Sequence, residues 1–169
     1  MTTSAPTAAR ARRIALLLAA ASAAMLGGAF WFQYGEGLEP CPLCMAQRWA
    51  HAASLGIGLI AALVATRASA PWLLALLGLA FLAGAGIAGY HVGVEQHWFA
   101  SAFCGSGDAV AATVEDLKAL LWETEVSRCD EIAWSLLGIS MAGWNMIVSV
   151  FLALVAFVAA RRVAARSKP

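Results

Sequence analysis

Pro40-Cys41-Pro42-Leu43-Cys44-Met45-Ala46-Gln47-Arg48 places a Cys-x-x-Cys pair at the mouth of an apolar run and a guanidinium one helical turn further in. Such spacing permits a readily exchanged disulfide, and a helix start favours the thiolate through its unpaired amides and the positive end of its dipole. Pro42 suits a first helical turn, where a missing N–H removes no intrahelical bond. Arg48 lies about 6 Å along the helix from Cys44 and on the same face. An arginine so close to hydrocarbon either snorkels to headgroups or serves as a cation beside the thiolate and the carbonyl of a bound oxidant.

The surroundings of this stretch are those of a membrane protein. Of the 169 residues, 62% are hydrophobic and only 12% charged, and the mean hydropathy is +0.76, outside the range of soluble domains. The formal net charge of +1 conceals segregation. All ten acidic residues fall in two regions between apolar runs, whereas Arg10, Arg12, Arg13, Arg67, Arg161, Arg162, Arg166 and Lys168 fall elsewhere. Lys and Arg are retained on the cytoplasmic side, so the acidic regions and all four cysteines are expected outside. An oxidising exoplasmic compartment suits disulfide chemistry. Nothing in this charge pattern points to nucleic acid.

Four spans are expected in a single domain, at roughly 14–34, 45–66, 71–91 and 144–160, with both termini cytoplasmic and external loops near 35–44 and 92–143. The first run reads either as a signal peptide, from its basic start and Ala21-Ser22-Ala23, or as a retained span. Its length and the aromatic belt of Phe30, Trp31, Phe32 and Tyr34 favour retention. Gly78, Gly84, Gly86 and Gly89 in the third run, and Ala20, Ala24 and Gly28 in the first, offer small-residue faces for helix contact. In the long loop, Thr113-Val114-Glu115-Asp116 resembles a capping box that starts a short amphipathic helix through Leu117, Leu120 and Leu121. Ile132 to Trp144, rich in Trp and Leu, is expected to lie along the interface.

Cys104 and Cys129 fall in that loop, Cys104 being followed by Gly105-Ser106-Gly107. An exposed loop disulfide is open to an attacking thiolate; a purely stabilising bridge is the other reading. Zinc usually takes two close cysteine pairs, and Cys104 and Cys129 are far apart, so no metal is expected. His91 ends the third run on the cysteine side, as an ordinary interfacial histidine or a site residue, and His51 is expected to be a satisfied core histidine.

Three motifs carry a resemblance: Pro-Cys-Pro-Leu-Cys-x-x-Gln-Arg at 40–48, Phe-Cys-Gly-Ser-Gly at 103–107, and Cys-Asp-Glu-x-x-Trp-Ser-Leu-Leu-Gly-Ile-Ser-Met-Ala-Gly-Trp-Asn at 129–145. Together they resemble the DsbB family of bacterial inner-membrane enzymes, which reoxidise the periplasmic thioredoxin-fold oxidase DsbA with a quinone. The resemblance implies an all-α four-helix transmembrane bundle, cysteines on the periplasmic side, a DsbA-like partner, and ubiquinone or menaquinone from the membrane pool as cofactor. It implies that Cys104 and Cys129 form the disulfide that takes electrons from the partner, Cys104 making the mixed disulfide. Cys41 and Cys44 would receive them and Cys44 would deliver them to quinone, with Arg48 and His91 as quinone-site residues. Some members carry Glu where this chain has Gln47. DsbA is known as a strong oxidant at about −120 mV, so its reoxidation needs an acceptor of still higher potential. A nicotinamide would run the wrong way, and no Rossmann-type glycine motif is present.

Overall fold

The computed structural model describes residues 4–98, 100–101, 104, 113–114 and 128–167. Four helices carry the fold: α1 (Ser4–Tyr34), α2 (Pro42–Val64), α3 (Ala70–Glu95) and α4 (Met141–Ser167). A small antiparallel hairpin, β1 (Ser135–Leu136) and β2 (Ile139–Ser140), precedes α4. Helices α1, α3 and α4 are long and apolar enough to cross a membrane. Helix α2 is not among them. Its 23 residues extend about 34 Å, but Gln47, Arg48 and His51 crowd its first half.

The local reasons for these boundaries are visible. Cys41, extended at φ −71° and ψ 165°, caps α2, and Pro42 occupies its first turn. Between α2 and α3, Thr66 and Ser69 bond reciprocally, the Thr66 N–H to Ser69 Oγ at 2.9 Å and the Ser69 N–H to Thr66 Oγ1 at 3.2 Å. That tight turn makes α2 and α3 antiparallel neighbours. Helix α1 packs on α2, α2 on α3 and α3 on α4, while α1 and α4 meet loosely.

Packing is layered along the bundle. Ala11, Ala15, Ala61, Ala65, Leu74 and Val163 fill the end away from the cysteines, Leu18, Leu77, Phe81 and Leu152 the middle, and Cys41, Leu43, Val94 and Cys129 the other end. Leu17, Leu63, Leu79 and Phe151 turn outward and are exposed, as side chains facing lipid do. Trp31 and Tyr34, at the end of α1, are exposed as well, where an aromatic belt places them.

Small residues set the close approaches. A Cβ on Gly58 would stand 2.9 Å from Ala19 Cβ and 3.2 Å from the Ala15 carbonyl, so α1 and α2 touch there almost backbone to backbone. On α3, Gly78 faces the Phe157 ring, Gly84 faces Ala50 and Gly89 faces Met146, whereas Gly86 has open space. The expected ladder on α1 is displaced. Ala20, Ala24 and Gly28 are exposed, and the face packed against α2 runs through Ala11, Ala15, Leu18, Ala19 and Ser22.

The loop also departs from expectation at 132–144. This segment, expected only to lie along the interface, is the β hairpin followed by the first turn of α4. Leu137 (φ 55°) and Gly138 (φ 77°) both lie in the left-handed region, which a two-residue hairpin turn of the primed type requires. The Trp144 indole N–H donates to the Leu136 carbonyl at 3.2 Å and ties the hairpin to α4. Apart from Thr113 and Val114, the expected amphipathic helix lies outside the described residues.

Gly58→Val should destabilise the bundle by about 1–3 kcal/mol through overpacking, read as a lower melting temperature in detergent. Gly86→Val, which meets nothing within 4 Å, should leave it unchanged.

Candidate functional site

The start of α2 meets the end of α3 and the start of α4, and this junction gathers the polar groups of the molecule. Cys41 and Cys44 are free thiols with sulfurs 3.0 Å apart. Cys41 Sγ accepts the Cys44 N–H at 3.3 Å, so one sulfur serves as the helix cap. The Cys41 thiol is pushed down to about 4, chiefly by the hydrogen bond from Cys44 and further by His91, against the burial that raises it.

The second pair comes to the same place. Cys104 and Cys129 form a disulfide with a Cα–Cα distance of 5.8 Å. Cys129 is fully buried among Cys41, Leu43 and Val94, with Cys44, Tyr90 and Cys104 against the cluster. All four cysteines therefore share one apolar cluster.

Behind Cys41 runs a buried chain of hydrogen bonds whose direction is fixed by the Leu43 carbonyl, which can only accept. Asn145 Oδ1 accepts from Ser149 Oγ at 3.2 Å and faces His51 Nε2 at 2.7 Å. The Asn145 amide donates to Gln47 Oε1 at 2.5 Å. The Gln47 amide group then lies 3.3 Å from the Leu43 carbonyl and 2.8 Å from His91 Nδ1, as donor to both. With Nδ1 accepting, the His91 proton sits on Nε2, 3.7 Å from Cys41 Sγ and 3.9 Å from Glu95 Oε1. Glu95 in turn accepts from the Ser140 hydroxyl at 2.5 Å, which links α3 to the hairpin.

A cavity of about 390 Å³ opens beside the cysteines, within the roughly 300–1,000 Å³ range of small-molecule sites. Its polar side carries Cys41, Cys44, Gln47, Arg48, His51 and His91. Ala24, Gly28, Ala29 and Phe32 of α1 and Trp144 of α4 form an apolar wall. The displaced small-residue face of α1 is thus part of a cavity wall. Arg48 crosses to α1, donating from Nη1 to Gln33 Oε1 at 2.5 Å and from Nη2 to the Ala29 carbonyl at 2.9 Å, with its guanidinium 5.3 Å from the Phe30 ring centroid.

Every residue singled out in the sequence is therefore found at this junction: Cys41, Cys44, Cys104, Cys129, Arg48 and His91. His51 is buried, as expected of a core histidine, but its Nδ1 has no hydrogen-bond partner among the described residues. Asn145 and Glu95 were not anticipated. A lone Asn in an apolar span is a signal for Asn145, because polar groups at that depth require partners. Donor atoms of Cys41, Cys44 and His91 fall within 4.8 Å of one another. A structural zinc site takes four protein ligands, and no fourth joins them among the described residues.

The sequence profile described as "Disulfide bond formation protein DsbB" matches residues 11–159. The chain belongs to the DsbB family. Among its relatives, "Disulfide bond formation protein B" of Ralstonia nicotianae is 37% identical over 158 residues, covering 89% of this chain and 94% of its own. The protein of that name in Hahella chejuensis is 34% identical over 161 residues, with the same coverage. A third, from Cupriavidus metallidurans, is 34% identical over 155 residues, covering 86% of this chain and 90% of its own. No solved structure gives a significant match. A bundle with three helices long and apolar enough to cross a membrane is the form in which this DsbB-family chain presents its cysteines.

A lowered thiol pKa fixes the sign of the pH dependence. Its stabilising contribution is complete above the ordinary thiol value of about 8.5 and is lost as pH falls through about 4. Ultraviolet thiolate absorbance of the reduced protein should accordingly persist well below neutral pH. His91→Ala should move the midpoint up by about one unit or more. Asn145→Ala, which touches neither sulfur, should move it the same way by less; a midpoint indifferent to both would disprove the hydrogen-bond chain.

Proposed function

We propose that this DsbB-family chain is a protein-thiol:quinone oxidoreductase that reoxidises a DsbA-like periplasmic thiol oxidase. Family membership supports the coarser statement, a membrane disulfide oxidoreductase of disulfide bond formation. The observation that carries the finer one is the gathering of both cysteine pairs in one apolar cluster at the edge of the Arg48–His91 cavity. On this reading the four helices form a single transmembrane domain of the bacterial inner membrane. Helix α2 is its fourth span, both termini are cytoplasmic, and the cysteines are periplasmic.

Electrons enter at the loop disulfide. A partner thiolate attacks Cys104, the Cys104–Cys129 bond breaks, and a mixed disulfide forms with Cys129 as leaving thiolate. The partner's second thiol then resolves it, so that the partner leaves oxidised and Cys104 and Cys129 remain as a dithiol. Exchange with a Cys41–Cys44 disulfide passes two electrons onward and restores the loop bridge. Burial of Cys41 and Cys129, with Cys44 and Cys104 packed half-buried against them, keeps the inner step of that exchange away from water. A loop disulfide above a Cys41/Cys44 dithiol is the arrangement that precedes delivery to quinone.

Quinone, when bound, supplies a two-electron, two-proton acceptor that is soluble in lipid. The residues present fit it: an apolar wall for the ring and tail, guanidinium donors of Arg48, and an orphaned ring nitrogen on His51, all lining one cavity. Cys44, the less buried thiol of the pair, lines the cavity with Arg48 one turn away. Arg48 would bind a carbonyl oxygen, and His91 would hold its Nε2 proton against Cys41 as the thiols are oxidised. These groups position and bias the reaction while the quinone carries the redox chemistry.

Purified protein with quinone and reduced DsbA tests the proposal; absence of quinone reduction, with both disulfides inert to the partner, would overturn it. Cys44→Ser should abolish quinone reduction while the loop disulfide still reacts once with the partner. Cys104→Ser should prevent the mixed disulfide. Arg48→Ala should raise the quinone KM about tenfold, a loss of about 1.4 kcal/mol, with little change in that for DsbA.

A further inference from the structure

The loose seam between α1 and α4 opens at both ends of the bundle. At the cysteine end it forms the cavity already described. At the opposite end is a second groove of about 380 Å³. Arg10, Arg162 and Arg166 line it, and none of their guanidinium groups has a hydrogen bond or ion pair among the described residues. No Asp or Glu occurs anywhere in α1 or α4, or in the turn between α2 and α3 that neighbours them. Three cations thus line one groove with no acidic side chain paired to them among the described residues.

Below the arginines the groove is apolar, walled by Ile14, Phe151, Leu154 and Val158. Phe151 and Leu154 are 63% and 59% exposed, so this wall is open to the surrounding phase. Between Arg162 and Phe151 the helix descends about 16 Å, half of the roughly 30 Å hydrocarbon thickness. That is the depth reached by the acyl chains of one leaflet. A small anion would satisfy the arginines and leave the wall unused, and a zwitterionic lipid would fill the wall and bring a competing cation to the arginines.

We propose that this groove is a binding site for one anionic phospholipid, its phosphate held by Arg10, Arg162 and Arg166 and its acyl chains laid along the α1–α4 seam. Guanidinium groups suit a phosphate because their forked donors match its oxygens, and basic pockets between helices at this depth are a recurring lipid recognition device. The lipid completes the bundle where α1 and α4 fail to pack. The site is independent of the cysteine chemistry, so its failure would leave the oxidoreductase reading untouched.

Native mass spectrometry of the full chain in detergent, titrated with dioleoyl phosphatidylglycerol or dioleoyl phosphatidylcholine, tests this. Phosphatidylglycerol should bind about tenfold tighter or more, and the Arg162→Gln/Arg166→Gln double variant should lose that preference. Arg161→Gln, a neighbouring arginine outside the groove, should retain it. On the unaltered protein, a photoactivatable phosphatidylglycerol should label Thr7–Ile14 and Phe151–Arg166 above other lipid-facing segments. Equal affinity for the two lipids, an equal loss in Arg161→Gln, or labelling spread evenly over the bundle would overturn the site. Displacement of the lipid by equimolar glycerol phosphate would reduce it to a small-anion site and overturn it as well.

Discussion

A polar side chain inside a lipid-embedded bundle has no water to fall back on, so it must find its partner within the protein. That requirement governs α2. Its buried face runs through Leu43, Gln47, His51, Ser54, Gly58 and Ala61, one residue in every three or four. Three of these are polar. Gln47 and the Nε2 of His51 find their partner across the bundle in Asn145, Ser54 bonds back to the Ala50 carbonyl, and His51 Nδ1 is left over among the described residues. The helix that is too polar to qualify as a span by composition is thus the one whose polarity is turned inward.

The same constraint connects the packing to the chemistry. Gly58 lets α1 come nearly backbone to backbone with α2, and Asn145 locks α4 to α2. With both neighbours fixed, the hydrogen-bond chain has a single consistent direction, ending in an Nε2 proton on His91 directed at Cys41. Reversing one amide would set donor against donor or acceptor against acceptor at the next link. Such a chain holds a histidine tautomer more firmly than one contact does, since each buried group left unpaired costs about 1–3 kcal/mol.

How much of this was legible depended on whether a residue's role is local. Helix starts at Pro42 and near Pro71, the short turn between α2 and α3, and the proximity of Arg48 to Cys44 follow from residues adjacent in sequence or one turn apart. Partners across the bundle did not follow. Helices that are apolar all round carry no periodicity to mark the face that packs, which is why the contact face of α1 lay one position from the expected ladder. Gln47 was visible only as a departure from Glu, because its partners stand 44 and 98 residues away. Leu137 in a left-handed turn contradicts its own preference, so an apolar stretch read as interfacial proved to be a hairpin. Burial of Cys129 against Cys41 is likewise a long-range fact.

What was legible and what was not meet at the α1–α4 seam. A fully packed bundle would seal Cys44 from any oxidant dissolved in lipid, and an open one would let water reach Cys41 and Cys129. The bundle resolves this by packing three of its four adjacent helix pairs closely and leaving the fourth loose. On the proposed reading, a hydrophobic substrate would approach sideways along Ala24, Gly28 and Ala29, whose small side chains leave room for it, and a partner protein would reach the loop disulfide from the aqueous side. A loose seam exposes apolar surface along its whole length, however, and the end remote from the cysteines has no substrate to cover it. Three arginines without a side-chain partner among the described residues, set above an apolar wall, are the arrangement by which the bilayer itself can cover that end.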